Sequence, residues 1–206
     1  MNYRYLIIIF IIVLVYLLYT QYLNFNEIRY IKSDIDGITY MIRRGNNKTA
    51  EFLKESADTL AMINIRIEKL IKYLVDKYKN DTTKYYFIKK LKENYSSYMI
   101  SEAAIDPRYT TYTIDKNDLH VCLRTRDTNE QLYDINTLMY VILHELGHYA
   151  NYTPEGIPIM GHGSQFKYIF SFLTQEAINI GIYQYKNYHL DPKEYCGIKI
   201  NSSILN

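Results

Sequence analysis

The stretch that most restricts how this chain can fold is Tyr5 to Tyr19, YLIIIFIIVLVYLLY, which carries no charge and no Gly or Pro. Extended to Leu23 it gives about 19 residues, enough at roughly 1.5 Å per residue to cross a hydrocarbon core of about 30 Å. A core helix of this composition would need apolar partners on every side, and no other segment is apolar enough to supply them. A cleaved signal peptide would want small residues after the run, whereas Thr20-Gln21-Tyr22-Leu23-Asn24-Phe25 offers no such site. Tyr16, Tyr19 and Tyr22 instead fit an interfacial aromatic belt. The expectation is a transmembrane anchor over residues 1–23, with residues 5–23 meeting the membrane in a single pass. Its orientation is open, because Arg4 on one side is matched by Arg29 and Lys32 among Glu27, Asp34 and Asp36 on the other.

With 206 residues the chain has room for one ordinary domain behind such an anchor. A formal charge of +2 gives no electrostatic case for a nucleic-acid partner, and none is expected. Cys122 and Cys196 do not form a CxxC pair. They pair if the domain faces an oxidising space, and the blander expectation is two partly buried thiols.

Residues 24–48 mix charge with Gly37 and Gly45 and read as a membrane-proximal connector, with a short strand over residues 37–42. Asn47-Lys48-Thr49 is a formal glycosylation acceptor. Over residues 49–80 the apolar spacing predicts a long amphipathic helix. Leu53, Ala57, Leu60, Asn64, Ile67, Ile71, Leu74 and Tyr78 alternate steps of four and three. This seam fits a stalk that self-associates through residues 49–78, with Asn64 fixing register. It also fits one helix packed on the domain, as the off-seam Ala61, Ile63 and Leu70 favour. A domain over residues 81–206 follows. It begins with a helix over Lys84–Asn94 and a hairpin of strands Tyr109–Ile114 and Leu119–Arg126, turned by Asp115-Lys116-Asn117-Asp118.

Chemistry concentrates at Ile142-Leu143-His144-Glu145-Leu146-Gly147-His148. Asp134 can cap a helix here, and Ile135, Leu138, Ile142, Leu146 and Tyr149 step by three and four along one face. His144 and His148, at i and i+4, then project together from the other face, one turn apart, as two ligands of a tetrahedral zinc require. Glu145 stands beside the metal position, where a carboxylate can serve as general base. Gly147 costs about 1 kcal/mol relative to Ala in a helix interior, which predicts a close approach by a neighbouring backbone, as from an edge strand. After a loop with Pro154, Gly156 and Pro158, His162 in Met160-Gly161-His162-Gly163 offers a third ligand at the start of a helix over residues 163–183. Glu176 on that helix is the competing third ligand. His120 reads as structural, and His189, Tyr149, Tyr152 and Tyr195 are weaker candidates to stabilise an oxyanion.

The H-E-L-G-H helix, the loop, and then G-H-G-x-x-F over Gly161–Phe166 resemble the WLM/SprT-like group of minimal zincins. The Val121-Cys122-Leu123-Arg124 stretch and the closing Tyr195-Cys196-Gly197-Ile198 also resemble metallopeptidases of this type encoded by large DNA viruses. The likeness spans roughly residues 109–204. It implies an α+β fold, a minimal zincin-like domain of active-site helix, small antiparallel sheet and following helix behind the transmembrane helix. It implies zinc on His144, His148 and His162, with Glu145 catalytic and a protein or peptide as substrate. The expected function is a membrane-anchored zinc metallopeptidase. The alternative is a catalytically silent structural membrane protein, such as a virion component, that keeps the fold. The chain departs from the longer metzincin pattern, since His148-Tyr149-Ala150-Asn151 lacks that pattern's glycine and third histidine.

Overall fold

The apolar run folds as the greater part of α1 (Tyr3–Glu27). Residues Tyr3–Gln21 are long and apolar enough to cross a membrane, and none of that window is buried against the rest of the chain. The computed structural model describes residues 3–45, 48–106 and 108–205, with the side chains at 22–26 excepted. Asn47, the glycosylation candidate, and the side chains of Tyr22 and Leu23 lie outside the described residues.

The protein has a mixed α+β architecture, with five α-helices and three small sheets among the described residues. The segment expected as a connector is a hairpin. Strands β1 (Ile28–Lys32) and β2 (Thr39–Arg43) pair antiparallel, and Tyr40 and Ile42 sit in the core. The strand expected over residues 37–42 is β2, and what the sequence does not announce is its partner β1.

Helix α2 (Ala50–Tyr78) starts where the Thr49 hydroxyl accepts the Phe52 N–H at 3.2 Å. It buries a stripe that runs from Leu53 to Leu74 and includes Ala61, Ile63 and Leu70 from beside the seam. Its apolar face is thus taken up within the chain. Asn64, read as a register residue between two stalks, is instead in the core. Its amide donates to the Tyr40 hydroxyl at 3.1 Å and accepts from the Tyr95 hydroxyl. Helix α3 (Thr82–Asn94) follows, begun two residues earlier than its apolar pattern indicates because Asp81 caps the Thr83 and Lys84 N–H groups.

Strands β4 (Tyr112–Ile114) and β5 (Asp118–Val121) form the expected hairpin. The sheet is mixed rather than antiparallel throughout, since β3 (Ile100–Glu102) lies parallel to the other side of β5. Three residues are too few to show a period. Buried ion pairs join this sheet to the first hairpin. Glu102 contacts Arg124 at 2.6 Å and accepts the Arg43 N–H at 2.8 Å, while the Arg43 side chain reaches Glu130 at 3.1 Å. Helices α4 (Ile135–Ala150) and α5 (Ser164–Asn179) pack on each other, and a final hairpin, β6 (Lys193–Tyr195) and β7 (Ile198–Ile200), closes the fold. Cys122 and Cys196 are joined in a disulfide, against the expectation of free thiols. It ties the turn of the last hairpin to the residue after β5, a pairing set by tertiary contact that spacing along the chain does not reveal.

Asn64→Leu would leave the Tyr40 and Tyr95 hydroxyls without the group that joins them, at a cost of about 1–3 kcal/mol. The expected result is a lower urea midpoint for the full chain in detergent micelles, with unchanged m-value and association state. An unchanged midpoint with altered association would restore the stalk role of α2.

Candidate metal centre

Asp134 caps α4, accepting the Thr137 N–H at 2.9 Å and its hydroxyl at 2.7 Å. Leu138, Ile142, Leu146 and Tyr149 expose no surface. With that face sealed, the 3.6-residue repeat turns His144 and His148 outward together.

The loop after α4 is folded back by its own polar groups. The Ile159 N–H donates to the Asn151 carbonyl at 2.9 Å, and the Asn151 amide donates to the Ile159 carbonyl at 3.0 Å. Lys116 donates to both carbonyls, at 2.9 and 3.3 Å. Gly161, at φ +76°, supplies the left-handed step that swings the chain toward α5.

His162 consequently meets the first two histidines. Its Nε2 lies 3.0 Å from His144 Nε2 and 3.1 Å from His148 Nε2. Among the described residues these three form the only group of three or more His, Cys, Asp or Glu side chains whose ligand atoms converge, all within 4.8 Å of one another. The fit to zinc can be tested by geometry. Tetrahedral Zn–N bonds of about 2.0–2.1 Å put ligand nitrogens roughly 3.3–3.4 Å apart, within a few tenths of an ångström of the two spacings from His162. Hydrogen bonding among the rings themselves is a poorer solution. One N–H joins two neutral imidazoles, and a third nitrogen at the same point brings lone pair against lone pair. A shared cation satisfies all three.

The two rings on α4 are also in the right ionisation state. Burial pushes the His144 imidazole down to about 3, with the neighbouring imidazoles adding to the effect. Burial, then His162 and Lys116, brings His148 down to about 4. Both rings are neutral near pH 7 and offer lone pairs. Phe166 supports the set from α5, its ring centroid 4.9, 4.5 and 4.7 Å from those of His144, His148 and His162. This contact accounts for Gly147. A Cβ there would stand 3.0 Å from the Phe166 ring, so the close neighbour is an aromatic side chain and not the strand backbone expected.

Glu145 is 7% exposed, and burial pushes its carboxyl up to about 8. It opens with His144 and His162 onto a cleft of about 380 Å³ whose lining includes Val141, Phe170 and residues 198–204. A hollow of about 440 Å³ between α2 and the end of α3 is larger, but its lining holds no histidine or cysteine.

Glu176 is not a ligand. It lies more than three turns along α5 from His162, paired with Lys77 at 2.8 Å and accepting the Tyr78 hydroxyl at 2.9 Å. His120 is structural, with Nδ1 2.9 Å from the Ser101 hydroxyl and its ring stacked on Tyr112. His189 is on the surface. The Tyr149 hydroxyl donates to the Asn117 carbonyl at 2.6 Å and that of Tyr195 to the Cys122 carbonyl at 2.9 Å, while the Tyr152 hydroxyl accepts from Asn94 at 3.1 Å. Phe170 and residues 199–204 gave no signal in the sequence, because none of them stands in a motif.

Compared with known proteins, the chain is 36% identical over 181 residues to uncharacterized protein R325 of Acanthamoeba polyphaga mimivirus, spanning 87% of this chain and 86% of that one. This chain belongs to the R325 family. Shorter stretches of this R325-family protein are similar to two further viral proteins. One is uncharacterized protein 042R of Invertebrate iridescent virus 3, 36% identical over 89 residues, 43% of this chain and 50% of that one. The other is uncharacterized protein 136R of Invertebrate iridescent virus 6, 27% identical over 86 residues, 41% of this chain and 45% of that one. No family model matches the chain, and no solved structure does.

Gly147→Val in this R325-family protein would push Phe166 off the imidazoles without touching a ligand. Zinc affinity by chelator competition is expected to fall roughly 10–100-fold, the range for outer-shell partners, with far-UV circular dichroism unchanged. His162→Ala should cost more than that. Wild-type affinity in Gly147→Val would remove Phe166 from any role in holding the rings.

Proposed function

We propose that this protein is a membrane-anchored zinc metallopeptidase in which His144, His148 and His162 hold the metal and Glu145 moves the proton. One observation carries this reading: three ring nitrogens converge beside a cleft into which a buried carboxylate from the same helical turn also opens. The likeness of the H-E-L-G-H and G-H-G-x-x-F motifs to WLM/SprT-like zincins supports the same ligand set and a zincin-like fold.

When bound, zinc supplies Lewis acidity toward a carbonyl and lowers the pKa of water, which is the chemistry that peptide hydrolysis lacks at neutral pH. The chain's own residues do the rest. Burial alone holds the Glu145 carboxyl at about 8; a cation on the neighbouring histidines would favour its ionised form, which accepts the proton of the attacking water and returns it to the leaving amine. The half-buried His144 and His148, neutral and wedged on Phe166, stay fixed while this happens. Val141 and Phe170 give the cleft an apolar wall that limits water beside the reacting bond. The α1 helix would hold this machinery at a membrane.

The test uses the full chain in detergent micelles, loaded with zinc and offered denatured casein. The wild type is expected to cleave. Glu145→Gln should keep its zinc and lose at least about 100-fold in turnover, the scale of a general base. Equal cleavage by both proteins would remove Glu145 from the chemistry. A zinc-loaded wild type that cleaves nothing would return the chain to a structural role.

A further inference from the structure

One border of the cleft is made by three consecutive residues of β7, Ile198, Lys199 and Ile200. Successive side chains of a strand point to opposite faces. Three in a row readily border one cavity where the strand turns its edge, and with it its main chain, toward that cavity. Among the described residues β7 is paired on one side only, by β6. Strand β4, at the edge of the three-stranded sheet, does not play this part, since only Thr110 from the segment before it reaches the cleft.

The register identifies the free main-chain groups. Tyr195 and Ile198 face each other across the two-residue turn Cys196-Gly197, whose φ values are 50° and 81°. The pair that closes such a turn is hydrogen-bonded, and pairs alternate along an antiparallel ladder. The next pair, Glu194 and Lys199, is therefore not hydrogen-bonded across the hairpin. The N–H and C=O of Lys199 point away from β6, on the edge that borders the cleft. This edge is held firmly. The disulfide fixes Cys196 to Cys122, and the Cys196 N–H donates to the Tyr133 hydroxyl at 2.8 Å. Lining the same cleft as this edge, His144 and His162 are Val141, Phe170 and Ile204, apolar groups suited to a hydrophobic side chain.

The geometry points to an extended, unfolded polypeptide as the occupant, added to β7 as a further strand through both main-chain groups of Lys199. An apolar side chain fills the hollow beside Val141 and Phe170, and a carbonyl lies at the three histidines. This rests on the peptidase reading and sharpens it. The substrate is a flexible segment recognised mainly by its backbone, with one apolar requirement, and neither a folded surface nor a free amino acid.

The experiment uses the full chain carrying Glu145→Gln, in detergent micelles with zinc, and short unstructured fluorescent peptides with a central Leu, Phe or Asp, read by polarisation. Lys199→Pro removes the outward N–H at a position where an edge strand tolerates proline. Lys199→Ala keeps both main-chain groups. Proline should weaken binding about tenfold, and alanine by less than about twofold, as for loss of main-chain bonding against loss of an exposed side chain. Leu and Phe peptides should bind better than Asp peptides. A proline variant with zinc and disulfide intact that binds like its parent overturns the proposal, as does failure of Glu145→Gln to bind any peptide. Should the proline variant lose its zinc, peptides N-methylated one position at a time decide against the unaltered edge. Binding lost at alternate positions supports strand addition, and binding indifferent to methylation overturns it. Casein cleavage by Lys199→Pro at the wild-type rate would sink this binding mode alone. Lys199-dependent peptide binding by a wild type that cleaves nothing would sink the peptidase reading alone.

Discussion

Burial of one face of α4 sets the position of every group that this helix presents to the cleft. Leu138, Ile142, Leu146 and Tyr149 are fully enclosed, and sealing side chains of this size stabilises by about 1.5–3 kcal/mol each. Rolling the helix by one residue, roughly 100°, would expose them and is far too costly to occur. The directions of His144, Glu145 and His148 are thereby fixed by packing alone. Gly147 extends the same constraint to the neighbouring helix, because its missing side chain is the space into which the Phe166 ring sits. The contact that docks α5 on α4 thus also sets the level of the imidazoles, and His162, two residues before α5, has little freedom left.

What could be read from the sequence was local. The i, i+4 histidines, the Asp134 cap, the apolar period of α4 and the turn residues between β4 and β5 each announce themselves within a few positions, and each is found in place. What could not be read depends on partners far along the chain. Asn64 looks like an interruption of a coiled-coil seam until Tyr40 and Tyr95 are seen to meet it. Glu176 looks available until Lys77 and Tyr78, about a hundred residues earlier, are found on its carboxylate. Strand β3 has no periodicity to detect and exists because β5 offers an edge. The cleft wall at residues 199–204 stands in no motif, and its role comes only from where the last hairpin is fastened.

That fastening continues a chain of attachments through the domain. The first hairpin grips Glu102 and Glu130 through Arg43, Glu102 grips Arg124, and the disulfide at Cys122 holds Cys196. Buried ion pairs of this kind are weak sources of net stability, yet removing one partner strands the other at a cost of about 3–5 kcal/mol. They serve to fix relative placement. Arg124 is fully enclosed, and its carbonyl lies within reach of both disulfide sulfurs, so the ionic and covalent attachments meet at one residue.

The junction between α1 and β1 has a consequence for reach. Glu27 ends the helix, Ile28 begins the strand, and the Glu27 carbonyl already accepts the Arg44 N–H at 2.7 Å. No slack separates the apolar helix from the hairpin, whose second strand is anchored in the core by Tyr40 and Ile42. In a bilayer, such a joint would forbid the sweeping search that a flexible tether permits. Whatever the domain meets would then have to lie within the short distance of the lipid that this joint allows.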